Sequence, residues 1–279
     1  MIPATKADRP AITAFLESHL PATFYPLTNL TDHGMGTGHP KAMRFWLWRD
    51  GDRLTDVLGV TGGGFLYPDF TTDVSVQSAK LLAGTQTLGL GGPPDQVIPL
   101  RRALGIAAQP KLDFTEPVYH LPLDRLVLPD TQGLSLRPLA VAPTDILTSW
   151  RAQFLMETQQ NVIEVAVHRA IHDMAEIGRR DTYRVLCDGD RPLAMTGFNA
   201  AFPQVVQVGG VFVPPDLRSR GLGRIAVALH LQQARANGVS DAYLSAATAP
   251  AARAYEALGF QPHGHYMAVV YEEGQTISG

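Results

Sequence analysis

The chain has 279 residues, with 45% hydrophobic residues, 18% charged residues and a net charge of −3. This balance is typical of a globular protein of two modest domains, and it excludes the strong positive field that favours nucleic-acid binding. The single cysteine, Cys187, excludes an intramolecular disulfide and a cysteine-rich zinc site, so we expect no metal and a reducing, cytoplasmic setting. The N-terminus lacks a hydrophobic signal core, and no run of about 18 apolar residues predicts a membrane span.

The first half alternates helical and extended patterns between turns rich in glycine and proline. Apolar spacing predicts helices over residues 11–20 and 76–83. Strands are predicted over residues 44–48, 57–61, 86–90 and 117–123. Residues 25–32 are assigned to a loop. The turn signals around Pro129 and Asp130 place a domain boundary between residues 130 and 131.

The second half follows a more regular rhythm of strands and helices. Helices are predicted over residues 144–156, 164–177, 221–237 and 250–258. Strands are predicted over residues 134–139, 182–187, 193–199, 205–213, 242–246 and 266–271. His263 and His265, on either side of Gly264, are assigned to a loop. The mixture indicates an α/β fold.

The segment Val211–Arg224 is the most informative part of the sequence, because a strand, two prolines, a basic glycine-containing turn and a helix follow one another directly. Unpaired N–H groups and the helix dipole at such a helix start suit a phosphate. Gly221 and Gly223 allow an anion to approach the backbone closely. A glycine pair taken alone favours a solvated loop of arginine and glycine that caps an amphipathic helix. The spacing matches neither a P-loop nor a Rossmann fingerprint.

The pattern Val213-x-Pro215-x-x-Arg218-x-x-Gly221-x-Gly223 resembles the acyl-CoA-binding signature of the GCN5-related N-acetyltransferase (GNAT) superfamily. The resemblance implies a backbone contact of the cofactor pantetheine with Val211, Phe212 and Val213. It also implies that N–H groups hold the pyrophosphate of acetyl-CoA along the turn, which consists of Arg218, Ser219, Arg220, Gly221, Leu222, Gly223 and Arg224. By the same resemblance, the Val211 N–H polarises the acetyl carbonyl, with a bulge expected at Gly209 and Gly210.

A second segment, from Thr248 through Tyr255 to Gly259-Phe260, resembles the family's N-x-x-A-x-x-x-Y-x-x-x-G-F ending. The resemblance implies that Tyr255 lies near the CoA sulfur and acts as the general acid toward the departing thiolate. Thr248 stands where the family usually has asparagine. Its hydroxyl can bind the cofactor or cap the helix, and both alternatives remain open.

The general base is the weakest part of the pattern. Many family members have a glutamate on the strand before the phosphate turn, whereas Gln204 and Gln207 are the polar residues here. Glu157, between the first two helices of the second half, is the best substitute as a base or substrate anchor. Weaker alternatives are Glu164, His168 and Asp173. His168 and His172 have a spacing that suits a metal, but no third ligand is evident.

The first half lacks the full signature, and Gly91–Val97 resembles an eroded phosphate turn. The resemblance therefore implies tandem GNAT-like domains, each a mixed, mostly antiparallel twisted sheet flanked by helices. A degenerate domain would cover residues 1–130 and a catalytic domain residues 131–279. The implied activity is direct transfer of acetyl from acetyl-CoA to the primary amine of a small molecule or peptide, by a monomer or homodimer. The alternative is an acyl-CoA-binding sensor or scaffold without turnover.

Overall fold

The computed structural model describes residues 1–36, 38–131 and 133–279. The chain divides into two compact units, which we call the first and the second unit. The first unit comprises Met1–Glu116 and His265–Gly279, and the second comprises Pro117–Gly264. This division differs from the predicted domain boundary between residues 130 and 131. The chain passes from one unit to the other between residues 116 and 117 and again between residues 264 and 265, in each case within a strand and not at the turn around Pro129.

The first unit contains a mixed sheet in the order β1-β2-β3-β4-β5-β12, in which only the pair β4–β5 is parallel. Its elements before the change of unit are β1 (Ile2–Pro3), α1 (Arg9–Ser18), α2 (Phe24–His33), β2 (Met43–Asp50), β3 (Arg53–Thr61), β4 (Phe65–Phe70), α3 (Ser75–Leu82), β5 (Gln86–Gly92) and α4 (Pro94–Ala103). The sequence did not indicate β4, and α2 replaces the predicted loop. Helix α2 is stabilised by burial of Phe24, Leu27 and Leu30, which overrides the low helix propensity of its threonine and asparagine residues.

The second unit contains a sheet in the order β6-β11-β10-β9-β8-β7, in which only the pair β10–β11 is parallel. Its elements are the end of β6 (Leu112–Pro122), then β7 (Ser135–Pro138), α5 (Thr144–Gln159), α6 (Ile163–Arg180), β8 (Tyr183–Asp188), β9 (Arg191–Ala201), β10 (Val205–Phe212), α7 (Leu222–Ala236), β11 (Asp241–Ser245), α8 (Ala249–Glu256) and the start of β12 (Gln261–Thr276). His263 and His265 therefore lie in a strand and not in the predicted loop. The strands and helices follow one another in the same order in both halves of the chain, which confirms the tandem arrangement.

Each sheet is completed by a strand segment from the other half of the sequence. In the first unit, Met267 of β12 lies opposite Gly92 of β5. In the second unit, Leu121 of β6 lies opposite Ala242 of β11. Backbone hydrogen bonding thus assigns the two ends of these long strands to different units, and this explains why the sequence boundary and the structural division differ.

The core of the second unit has two layers of helices around its sheet. Val227 and Leu231 of α7 pack with Val206 and Val208 on one face. On the other face, a cluster from α5, α6 and β8 includes Trp150, Ile177 and Val185. These layers fix the end of β10 and the start of α7, where the sequence motif lies. Among the described helices of the chain, none is long and apolar enough to cross a membrane.

A buried histidine on α7 predicts acid sensitivity of the second unit. His230 is 4% exposed and stacks on Phe198 with ring centroids 3.8 Å apart. Burial, with a smaller contribution from the positive charge of Arg184, lowers the pKa of His230 to about 3. Because this pKa is depressed on folding, the stability is fully present above the ordinary pKa near 6.5 and is lost as pH falls from there toward 3.

We expect His230→Leu to reduce the acid sensitivity of unfolding. Between neutral pH and a pH of about 4.5, the wild-type chain should lose roughly 2–3 kcal/mol from this group, and the variant should not. Urea unfolding at the two pH values measures the difference. His172→Leu, at an exposed position on α6, serves as the control and should keep the wild-type loss. Equal losses in all three proteins would contradict the prediction.

Candidate acyl-CoA site

Strands β10 and β11 pair over a short distance and then separate. Their parallel pairing covers Val205–Gln207 opposite Asp241–Tyr243, whereas β10 continues to Phe212. Beyond Gln207, the edge of β10 that faces β11 therefore carries backbone groups without ladder partners from β11 in the described structure. Such a gap between parallel strands can accept the amides of an extended ligand.

A bulge interrupts β10 within this gap, as the sequence predicted. The register with β9 shifts between Gly209 and Phe212, and Gly210 has a left-handed φ of 60°. A Cβ atom at Gly210 would lie 2.5 Å from the ring of Tyr183, so glycine is required for both conformation and space. Because of the bulge, side chains an even number of residues apart lie on opposite faces of the sheet: Val208 packs toward α7, whereas Phe212 packs in the α5–α6 cluster.

Two residues that support the bulge were not singled out from the sequence. Tyr183 on β8 is buried, and its hydroxyl donates to Asn199 Oδ1 at 3.2 Å. The Asn199 side chain also occupies the space that a Cβ atom on Gly209 would need. No local pattern marks either residue, because both reach the bulge through pairing of β8, β9 and β10.

The turn between β10 and α7 has the geometry of an anion site. Ser219 and Gly221 have left-handed φ values of 64° and 76°, and Gly221 caps α7 without a capping side chain. The first helical hydrogen bond runs from Ile225 N–H to Gly221 O at 3.0 Å. In the part of the chain that the structure describes, the N–H groups from Ser219 to Arg224 donate to no protein acceptor. They are a run of successive free donors at the positive end of a helix.

The side chain of Arg218 is used to hold this turn in place. Its Nε donates to Val213 O at 2.9 Å, and its guanidinium lies 5.7 Å from the centre of the Phe212 ring. Its Nη2 donates to both carboxylate oxygens of Glu157, at 2.7 and 2.9 Å. The structure therefore joins Glu157, at the end of α5, to the turn and not to Tyr255. Nothing local in the sequence indicates this pair, since its members are 61 residues apart.

The other two arginines of the turn differ in their surroundings. Arg220 Nη2 donates to Asp216 O at 3.2 Å on the exposed side of the turn. Arg224 Nε is buried and has no acceptor among the described residues. Its Nη2 lies 3.9 Å from where a Cβ atom on Gly221 would be. The Arg224 guanidinium thus lies beside the turn through its Nη2, and it adds positive charge there.

Thr248 and Tyr255 lie on α8, which follows β11. The Thr248 hydroxyl accepts from Ala251 N–H at 3.4 Å and caps the helix, so the structure supports the capping alternative for this residue. Tyr255 is half-buried, packs against the α7-side core, and forms an edge contact with Phe260 at 6.1 Å. Burial raises the pKa of Tyr255 to about 12, so the phenol stays protonated and can donate.

The weaker candidates for the general base form contacts that do not involve the turn between β10 and α7. Asp173 accepts from Arg151 Nε at 2.8 Å. The rings of His168 and His172 are 6.0 Å apart on α6. Within residues 1–36, 38–131 and 133–279, no group of three or more His, Cys, Asp or Glu side chains could hold a metal ion. Glu164 is exposed near the start of α6, and no contact draws it toward the turn.

The equivalent turn of the first unit is closed by a carboxylate. By element order this turn is residues 71–74, between β4 and α3. Asp56 is 2% exposed and accepts from the N–H groups of Thr71 and Thr72, at 2.7 and 2.8 Å. The prediction that Gly91–Val97 is the eroded phosphate turn is wrong, since that segment follows β5 and corresponds to the one after β11.

The parallel strand pair of the first unit is also closed. Strands β4 and β5 pair at Phe65 and Leu66 only, opposite Gly89 and Leu90. Beside this pair, Tyr266 packs 5.4 Å from Tyr25, and its hydroxyl would lie 2.6 Å from a Cβ atom on Gly91. Aromatic side chains therefore fill the space that stays open in the second unit, as expected for a degenerate copy.

Comparison with known proteins shows a family match for the second half and a similar fold for the whole chain. Residues 146–260 match the model of the acetyltransferase (GNAT) family. None of the curated proteins matches the chain. Among solved structures, a GNAT-family acetyltransferase from Colwellia psychrerythraea is 13% identical with a TM-score of 0.54, covering 97% of this chain and 99% of its own.

Two further structures cover the whole chain. A GCN5-related N-acetyltransferase from Sphaerobacter thermophilus is 14% identical with a TM-score of 0.54 and is covered over 96% of its length. A tandem GNAT protein from the clavulanic acid biosynthesis pathway is 14% identical with a TM-score of 0.51 and is covered over 98%. At these identities the likeness shows the fold, and it extends over both units. Residues 146–260 thus match the acetyltransferase (GNAT) family model, and the chain as a whole has the fold of a tandem GNAT protein.

Proposed function

We propose that this chain transfers an acetyl group from acetyl-CoA to a primary amine by direct attack in a ternary complex. The observation that carries the proposal is the run of unpartnered N–H groups from Ser219 to Arg224, at the start of α7. A pyrophosphate offers acceptors for several such donors at once and a charge that the helix dipole favours. The open edge of β10 lies directly before this turn, where the pantetheine would follow.

The contacts of β10 make the expected cofactor binding more specific. Val213 O already accepts from Arg218, so its carbonyl is less available to a ligand than the backbone groups of Val211 and Phe212. Val211 lies within the register shift, directly after Gly210, in the part of β10 that extends beyond its pairing with β11. Its N–H is therefore our proposed donor to the acetyl carbonyl, where charge develops during attack.

Tyr255 and Glu157 have different parts in this proposal. The protonated phenol of Tyr255 is the acid that supplies a proton to the departing thiolate. Glu157 is proposed as the anchor of Arg218, and thereby of the turn, because the guanidinium donates to both of its carboxylate oxygens. The acceptor is proposed to be the amine of a small molecule or peptide.

The alternative function is an acyl-CoA-binding sensor or scaffold without turnover. Two observations favour it: β10 carries Gln207 and no carboxylate, and Glu157 is bound by Arg218. An assay of free thiol release from acetyl-CoA across a panel of amines, with CoA affinity measured by calorimetry, separates the two. We expect amine-dependent thiol release. CoA binding without release for any amine would support the sensor, and absence of CoA binding would contradict both functions.

A further inference from the structure

A row of polar side chains crosses the sheet of the second unit where β10 and β11 separate. Gln207 lies opposite Tyr243, and Tyr243 lies opposite His120. Residues opposite each other in register project from the same face of a sheet. Neighbouring strands are about 4.8 Å apart, which places the backbone of His120 roughly 10 Å from that of Gln207. This row is the last paired one before the gap that the acetyl group is proposed to enter.

The row faces away from α7. The residues that alternate with it on the same strands pack in the α7-side core, namely Tyr119, Leu121, Val206, Val208, Ala242 and Leu244. The side chain of His120 is 25% exposed, and that of Asp241 is 37% exposed. This face is therefore open to a solute, and its polar groups are not a buried structural network.

Contacts within the row orient the imidazole of His120. Its Nε2 lies 2.7 Å from Asp241 Oδ1, and its ring stacks on Tyr243 with centroids 4.5 Å apart. Asp241 also accepts from Ser240 Oγ at 2.6 Å. A carboxylate at Nε2 selects the tautomer with the proton on Nε2, which leaves a lone pair on Nδ1. No described protein group bonds to that Nδ1.

The charged and titratable groups that face His120 come from two strands. Asp241 and Tyr243 belong to β11, and His263 belongs to β12, with its ring 5.5 Å from that of His120. Burial opposes ionisation of Asp241, but hydrogen bonds from Ser240 and His120 outweigh it and lower the pKa of the carboxyl. Burial, together with His120, lowers the pKa of His263, so this neighbour stays neutral near pH 7.

We propose that His120 is the general base of the acetyl transfer, with Asp241 as the residue that positions it. The inference rests on the proposed function and supplies the base that β10 lacks. His120 belongs to β6, which precedes the family domain at residues 146–260, so a segment outside the matched domain contributes to the reaction.

The proton balance of this step is complete. Nδ1 of His120 removes one proton from the substrate ammonium, directly or through one water, and the neutral amine attacks the thioester carbonyl. The carbon–nitrogen bond forms and the carbon–sulfur bond breaks. The thiolate takes the phenolic proton of Tyr255. The second proton lost from the nitrogen then returns to the Tyr255 oxygen, and the proton on His120 passes to solvent.

The test compares His120→Ala with wild type in the full chain, using acetyl-CoA and the amine found most active in the panel. We expect kcat/KM at neutral pH to fall about 10²- to 10⁴-fold, with CoA affinity unchanged within about twofold. The acid limb of the wild-type pH profile should disappear. Added imidazole should restore part of the rate, which a merely structural role would not allow.

Two further variants complete the test. Asp241→Asn should lower kcat/KM about tenfold and shift the acid limb, because the tautomer is no longer fixed. His172→Ala, an exposed histidine on α6, should leave rate and profile unchanged. A His120→Ala enzyme with wild-type rate and pH profile, or with a loss that imidazole does not rescue, would overturn the base assignment while leaving the proposed function intact. A wild-type chain that acetylates no amine would overturn both.

Discussion

Gly221→Glu is expected to weaken CoA binding about 100- to 1000-fold. The new carboxylate would occupy the turn where the unpartnered N–H groups converge, and it would repel the pyrophosphate at close range. At an effective dielectric constant near 20, one pair of like charges at 4 Å costs about 4 kcal/mol, which is the upper end of this range. Titration calorimetry with CoA measures the effect.

A matched substitution separates charge from backbone conformation at this position. Gly221 has a φ of 76°, which asparagine adopts more readily than most residues. A Cβ atom there would lie 3.9 Å from Arg224 Nη2, which is an ordinary van der Waals distance, so the first side-chain atom of either substitution has room. Gly221→Asn should therefore bind CoA within about tenfold of wild type, with urea unfolding confirming that both variants fold. Equal affinity of the glutamate variant and wild type would show that the pyrophosphate lies elsewhere.

Tyr255→Phe is expected to lower kcat about 10²-fold or more while leaving CoA affinity nearly unchanged. Phenylalanine keeps the packing against Phe260 and the core but removes the only acidic proton of the side chain. Because the pKa of Tyr255 is about 12, the phenol remains a proton donor throughout the usual assay range. A steady-state assay of thiol release, with calorimetry for CoA, measures both quantities.

The control for this prediction is a second tyrosine that contacts α8. The hydroxyl of Tyr119, on β6, donates to Glu256 of α8 at 3.3 Å, so Tyr119→Phe removes a hydroxyl that is bonded to this helix without removing the proposed acid. We expect kcat of this variant to stay within about twofold of wild type. A similar loss in both variants would assign the effect to disturbance of α8 and would contradict the role of Tyr255.

Most elements of the second unit could be predicted from the sequence. Helix α7 was expected over residues 221–237 and is observed at Leu222–Ala236, because its apolar spacing and the preceding glycine are both local signals. The first unit was predicted less well. Strand β4 contains Pro68 and Asp69 and has no alternating pattern, and its assignment depends on pairing with β3 and β5.

Some features of the candidate site could likewise be predicted from the sequence, and others could not. The bulge at Gly209 and Gly210, the turn through Gly221 and the position of Tyr255 on α8 were all expected, since each depends on residues within one short segment. The pair Glu157–Arg218 was not expected as a pair, and neither were the contacts of Tyr183 with the bulge. These contacts join residues that are distant in sequence, and they form only when the sheet places their strands and helices side by side.

The strand, turn and helix from Val211 to Arg224, and the position of the tyrosine on α8, could be predicted from the amino-acid sequence without a structure. Their signals are local, because glycine conformation, helix starts and apolar spacing act within a few residues. The tertiary structure decided which strands complete each sheet, which copy of the turn is open, and which side chains share the face with His120. Asp56 closes one turn, whereas no carboxylate among the described residues closes the other, a difference that depends on backbone pairing between distant segments.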